Sequence, residues 1–192
     1  AAAILCMLNF LYGYFILPES LDKENRRNFE WKRANPIGAF LHLKKYPNLI
    51  GLIIAIFILY VGSHAVQSNW SFYTMYRFNW DEQMVGISLG IIGLLVGLVQ
   101  GVLIRWINPK IGNVKSIYIG LLLYTIGMFL FAFATESWMI FLFLIPYCLG
   151  GIAGPALQAV VSENVKPSEQ GEIQGVLASL MSASAITGPP MM

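Results

Sequence analysis

The sequence predicts an all-α fold, a polytopic bundle whose helices cross a membrane. Three observations carry that prediction. Hydrophobic residues make up 57% of the 192-residue chain and charged ones only 11%, too few to coat a soluble domain, where about a quarter is usual. The apolar residues fall into six blocks, most of about twenty residues, the length a helix needs to cross a hydrocarbon core of roughly 30 Å. The one long polar run, residues 18–47, holds Lys23, Arg26, Arg27, Lys32, Arg33, Lys44 and Lys45, seven of the twelve Lys and Arg.

Taken in order, residues 1–17 read as a span, or its second half, ending at Pro18. No initiator Met precedes it, and the last residues, ASLMSASAITGPPMM, stop inside another apolar run. The chain is therefore expected to be a middle piece of a longer protein, and the missing basic n-region argues against a signal peptide. Residues 18–47 form the basic loop. Phe29, Trp31, Phe40 and Leu41 are interleaved with its charges, so residues 36–45 fit either a short amphipathic helix at the headgroups or a solvated tether. Further spans are expected at 48–69, 83–104, 116–134, 138–161 and 173–192, the last one truncated. Trp70, Phe72, Tyr73, Tyr76, Phe78 and Trp80 cluster where the second span should emerge, as an interfacial aromatic belt would.

Lys and Arg near span ends resist export, so the charged connections should face the cytoplasm. Connections 18–47, 70–82, 105–115, 135–137 and 162–172 carry seven, one, three, none and one Lys or Arg. High and low alternate, which places the first, third and fifth connections inside and the others outside.

Function should lie on the faces that depart from plain apolarity. Gly86, Gly90, Gly93, Gly97 and Gly101 recur every three or four residues and share one helix face; small residues let membrane helices approach closely. Such a face serves static packing or a moving contact, and Gln100 lies at its end. Gly150, Gly154 and Gln158 are four apart, and Pro155 should kink their helix by removing a backbone hydrogen bond. Gln158 is either a substrate contact or a polar tie between helices. His64, Gln67 and Ser68 form a polar stripe beside Ser63, and His64 is the only Asp, Glu, Lys, Arg or His well inside any expected span. Ionisable groups in membranes usually face a pathway, and histidine changes charge near neutrality. His64 therefore handles a proton or a substrate, or it is a hydrogen-bonded or interface-facing histidine a turn or so from the outer end.

Several function classes are excluded. No nucleophile elbow, HExxH motif or paired carboxylates within a span point to an enzyme. GGIAGP at 150–155 has no Lys followed by Ser or Thr, as a phosphate loop needs. Cys6 and Cys148 sit in apolar runs without a CxxC or Cys/His cluster, so neither a metal nor a disulfide is expected. The basic residues follow the membrane topology, which leaves no nucleic-acid surface. Asn69-Trp70-Ser71 fits a glycosylation sequon that matters only in a eukaryotic secretory pathway.

Specific runs carry a resemblance: NFLYGYFILPES at 9–20, RFNWDEQMVGISLG at 77–90, FATESWMIFLF at 133–143, GGIAGPALQAVVSENVKPSEQGEIQGVLASL at 150–180 and ITGP at 186–189. The chain resembles the major facilitator superfamily, and within it the tetracycline resistance branch of tetracycline/proton antiporters. The resemblance implies two six-span halves: residues 1–17 end the first half, 18–47 form the cytoplasmic linker, and 48–192 make up most of the second.

It also implies proton-driven export of a small amphipathic drug by alternating access, or carriage of another small solute with no tetracycline activity. No cofactor is expected beyond the proton gradient. The partners would be a small-molecule substrate, protons and the lipid bilayer, with the full-length protein a monomer in a bacterial inner membrane. The substrate or coupling candidates are His64, Gln67, Gln100 and Gln158. Gly97, Gly150, Gly154, Pro155, Gly188 and Pro189 are the expected kink and packing residues. The family's gating motif, roughly Gly-x-x-x-Asp-Arg-x-Gly-x-x-Arg, aligns with 105–115: Lys110, Gly112 and Lys115 fit, while Arg105 and Pro109 depart. Exporters of this branch have a histidine four residues before a glutamine; Gln100 matches the glutamine, but Val96 holds the histidine position.

Overall fold

The computed structural model describes residues 2–17 and 46–191. Within them six helices follow one another: α1 (Ala2–Phe15), α2 (Pro47–Phe78), α3 (Glu82–Ile111), α4 (Asn113–Ala132), α5 (Ser137–Glu163) and α6 (Gln170–Thr187). The basic segment, with its suggested headgroup helix at 36–45, lies outside the described residues. Among the described helices, α2 to α5 are long and apolar enough to cross a membrane. α1 is apolar but has only 14 residues, and Ser, Gln and Gly dilute the apolar residues of α6. The fold is all-α and polytopic, as the composition requires.

The ends of these helices have local causes. Asn79 adopts φ 51° and stops α2, a left-handed position that asparagine tolerates. The Asp81 carboxylate accepts from the Met84 amide at 2.7 Å and so caps the start of α3, satisfying one of the amides a helix start leaves unpaired. Gly112, at φ 83°, separates α3 from α4; only glycine adopts that backbone without strain.

Two helices are not uniformly α. Residues Val99–Leu103 of α3 form a π segment. Residues Gly150–Ile152 of α5 form a 3₁₀ turn. The second has a covalent reason: Pro155 has no N–H to return to the Gly151 carbonyl four residues earlier. The irregularity therefore falls before the proline. The π segment and the 3₁₀ turn lie against each other.

The apolar interior is split into two ends. At one, Leu49, Ile53 and Ile56 of α2 pack with Ile117 of α4, Leu157 and Val161 of α5, and Ile173 and Val176 of α6. At the other, Val66 and Trp70 of α2 meet Val85 of α3, Phe131 of α4, and Ile140 and Leu144 of α5. α4 runs along the whole of α5 through glycine contacts. A Cβ built on Gly120 would lie 2.8 Å from the Ala153 nitrogen, on Gly127 2.7 Å from the Tyr147 Cα, and on Gly150 2.6 Å from the Tyr124 nitrogen. Lipid gives helices no hydrophobic reason to associate, so close backbone approach supplies the contact.

Two expectations need correction. α2 continues to Phe78 and does not end near Asn69. Its aromatic cluster is largely no interfacial belt: Trp70 and Trp80 are buried, with their indoles donating to Ser88 Oγ and Ser137 Oγ, each at 2.9 Å. The Tyr73 hydroxyl donates to the Phe131 carbonyl at 2.9 Å. Only Phe72 and Tyr76 are widely exposed. A buried indole needs an acceptor, and the neighbouring helices provide it.

Candidate functional site

Beside the second packed end a cavity of about 490 Å³ opens among α2, α3, α4 and α5. Ser63, Gln67 and Trp70 of α2 line it, with Val96 and Gln100 of α3, Tyr124 of α4, and Tyr147 and Gly151 of α5. Helical spacing puts the α2 residues on one face. The π segment carries Gln100, and the 3₁₀ turn carries Gly151. Both irregular stretches therefore border the cavity.

Its polar groups form a strip. Gln67 Nε2 donates to Ser63 Oγ at 3.2 Å. The Tyr124 hydroxyl donates to the Tyr147 hydroxyl at 3.3 Å, and their rings stand 4.8 Å apart at 30°. No lining residue carries a fixed charge. Such a wall offers amide and hydroxyl groups at one level and ring faces around them. A smaller apolar hollow of about 170 Å³ lies beside Trp70, bounded by Val66, Met128 and Phe131.

A second polar contact flanks the cavity. Gln158 Nε2 of α5 donates to the Tyr60 hydroxyl of α2 at 2.9 Å. The Tyr60 ring stacks on the His64 ring, centroids 6.3 Å apart and 29° between planes. The histidine also marks the meeting of α2 with the end of α6: a Cβ on Gly188 would lie 2.9 Å from His64 Cβ. Beside it, Asn69 Nδ2 donates to the Pro189 carbonyl at 3.3 Å.

The sequence-predicted residues thus separate into groups. Gln67 and Gln100 face one cavity. His64 and Gln158 meet through Tyr60. Gly150 and Gly188 sit at close backbone contacts, but a Cβ on Gly97 or Gly154 would meet nothing within 4 Å. Gly97 is exposed, whereas Gly154 is buried with room left for a Cβ. Gly97 follows Val96 of the cavity wall and has no neighbour close enough to meet a side chain. Tyr60, Tyr124 and Tyr147 escaped the sequence reading. Their signal was available: a phenol in an otherwise apolar helix must find a partner for its hydroxyl.

At the Arg105–Lys115 stretch, asparagines join the helices. Asn108 Nδ2 donates to Asn113 Oδ1 at 3.2 Å, and Asn113 Nδ2 to Glu163 Oε1 at 2.9 Å. Ser116 Oγ donates to Asn108 Oδ1 at 2.7 Å. α3, α4 and α5 are tied at one point. Arg105, Lys110 and Lys115 are exposed, with the Lys110 ammonium 5.8 Å over the Trp106 ring. Near this end the Tyr46 hydroxyl donates to the Glu169 carboxylate. That bond, then partial burial, raises the phenol above its ordinary range.

Comparison with known proteins gives this geometry its context. Residues 1–189 match the Major Facilitator Superfamily. The class C tetracycline resistance protein of Escherichia coli is 35% identical over 189 residues, 98% of this chain and 48% of that protein. The class B protein of Escherichia coli is 30% identical over 188 residues, 98% of this chain and 47% of its own length. A more distant relative, hippocampus abundant transcript-like protein 1 of Homo sapiens, is 20% identical over 195 residues, 99% of this chain and 38% of its own. The chain spans about half the length of the tetracycline resistance proteins it matches.

Proposed function

The chain belongs to the major facilitator superfamily, and on that premise we propose that the whole protein is a secondary transporter exporting a small amphipathic, tetracycline-like compound in exchange for protons. The uncharged cavity, with its amide, hydroxyl and ring faces, carries this reading. In it Gln67 and Gln100 hold the oxygen-rich edge of the solute, and Trp70 with the Tyr124–Tyr147 pair holds its rings. Gln158 ties α5 to α2 rather than touching solute. Residues 1–17 end the first half, 18–47 form the cytoplasmic linker, and 48–192 make most of the second half. The cavity is completed by the first half, because substrate sites of such carriers lie between repeats.

The bare α3 face with Gly97 is then the sliding contact between halves, while Gly150 and Gly188 are fixed joints. Gly154 and Pro155 follow the 3₁₀ turn that borders the cavity, and Pro189 closes the α2–α6 joint through Asn69. The Arg105–Lys110–Gly112–Lys115 stretch faces the cytoplasm, where the asparagine tie opens and closes. The protein works as a monomer in a bacterial inner membrane, without a cofactor and with the proton gradient as its energy source.

Val96 favours a second reading, a carrier of another small solute, because the cavity has an apolar group where the antiporters it resembles have a histidine. One experiment separates the two. The full-length protein is expressed in bacteria lacking their own drug pumps, and tetracycline accumulation is followed with and without a protonophore. A several-fold fall in accumulation, reversed by the protonophore, is the expected outcome. Unchanged accumulation with the protein present in the membrane removes tetracycline and leaves the other solute.

A further inference from the structure

His64 is the one Asp, Glu, Lys, Arg or His among the described residues that stands more than two turns from the end of its helix. Seventeen residues of α2 precede it and fourteen follow. The extension of α2 to Phe78 is what moves it to the middle of its helix. It is partly buried. Its ring stacks on Tyr60, and neither ring nitrogen has a hydrogen-bond partner among the described residues.

Among the described residues, the groups in contact with it are neutral. Tyr60 lies beside it on α2 and is itself held by Gln158 of α5. From α6 comes Gly188, with the buried Ser184 hydroxyl donating to its own helix at the Met181 carbonyl. Among the described residues, charge on His64 would therefore meet only the Tyr60 ring face, which attracts a cation weakly, and whatever water reaches the half-exposed ring. An uncompensated charge at this depth is costly. The two charge states of His64 thus favour different surroundings at the α2–α6 joint.

We propose that His64 is the residue of this half that takes up and releases the transported proton. The lone pair of the unprotonated ring nitrogen binds a proton from water and forms the imidazolium. Breaking that N–H bond returns the proton to water, and nothing is oxidised or reduced. The imidazolium is favoured when the joint is open to water, the neutral ring when it is closed against Gly188. A proton gradient then shifts the balance between the two arrangements, as any ligand with unequal affinity for two states must. The proposal rests on proton-coupled transport, and Gln100 and Val96 have no part in it.

The test uses the full-length protein in lipid nanodiscs and vesicles. Histidine-ring NMR is recorded from pH 5 to 8, the range in which imidazoles change charge, for wild type and His64→Gln. A ring signal that titrates in wild type and is missing from the variant is expected; a His64 signal that stays flat overturns the proposal, whatever the solute. In vesicles, His64→Gln should lose proton-driven uphill uptake of tetracycline at least tenfold yet keep exchange of tetracycline at equal pH. Uphill uptake equal to wild type, or equal loss of exchange, overturns it, the second because that marks a structural role. If His64→Gln does not reach the membrane, His64→Asn replaces it, and if neither does, a wild-type exchange rate independent of pH overturns the proposal. A wild type that moves no tetracycline while His64 titrates rejects the drug-export reading and leaves the proton site standing.

Discussion

Along the crossing of α4 and α5 there is no room for a methyl group. Gly120, Gly127 and Gly150 each hold a backbone of the facing helix where a Cβ would go. Along α3 the glycines are as regularly spaced, yet a Cβ on Gly86, Gly90, Gly93, Gly97 or Gly101 would meet nothing within 4 Å. Glycine spacing marks a face that permits close approach; it does not say whether anything has approached. The first face is filled by this chain's own helices. The second adjoins the cavity at Gly93 and Gln100 and is available to a contact that forms in one arrangement and breaks in another.

The strongest way to break that contrast is Gly127→Val. Its side chain would have to displace the Tyr147 backbone, and the cost should exceed the ~1–3 kcal/mol of ordinary overpacking. The variant is expected to be nearly missing from the membrane, as a blot of the membrane fraction would reveal; normal abundance would mean the crossing is looser than its geometry. Next comes Trp70→Phe, at the packed end beside the cavity. It removes the indole bond to Ser88, whose own hydroxyl still donates to the Val85 carbonyl, so a loss of about 1 kcal/mol is expected, read as a lower melting temperature in detergent.

Gly97→Ala should be neutral or gain up to ~1 kcal/mol from helix propensity. If the face is a sliding contact, the same variant loses transport in the full-length protein at unchanged abundance. Equal transport by Gly97→Ala and wild type would make the open face inert.

The smallest effect is expected from Tyr46→Phe, which cuts the tie to Glu169 at the surface. Because folding raises the Tyr46 phenol, its contribution is fully present below the ordinary tyrosine value of about 10 and fades as pH rises through the raised one. The variant should melt slightly below wild type at neutral pH and together with it in strongly alkaline buffer. A gap that persists there would point to lost packing instead.

Apolar runs and turn residues made the helices legible. Blocks of about twenty apolar residues have one solution in lipid, and Gly112 and the polar stretch at 162–172 interrupt them in plain view. The end of α2 was not legible, because Trp70, Tyr73 and Trp80 look the same in sequence whether they face headgroups or Ser88, Phe131 and Ser137. That choice is made by the fold. At the site, Gln67 and Gln100 stood out as amides in apolar helices. Tyr60 did not, because its role depends on Gln158 lying 98 positions away along the chain. The asparagine tie was illegible for the opposite reason: Arg105, Lys110 and Lys115 mark this stretch by charge, while Asn108 and Asn113 carry none.

The π segment Val99–Leu103 has a further consequence. A π turn amounts to one extra residue threaded into an α-helix. Deleting a single residue from it would return α3 to uniform winding and leave Arg105 to Ile111 in phase, whereas one deleted from the regular turns before it would rotate everything beyond by about 100°. In the second case Asn108 would swing off Asn113 and Ser116, and Gln100 would leave the cavity wall. The extra residue therefore keeps the cavity wall and the asparagine tie at the far end of the helix in one register.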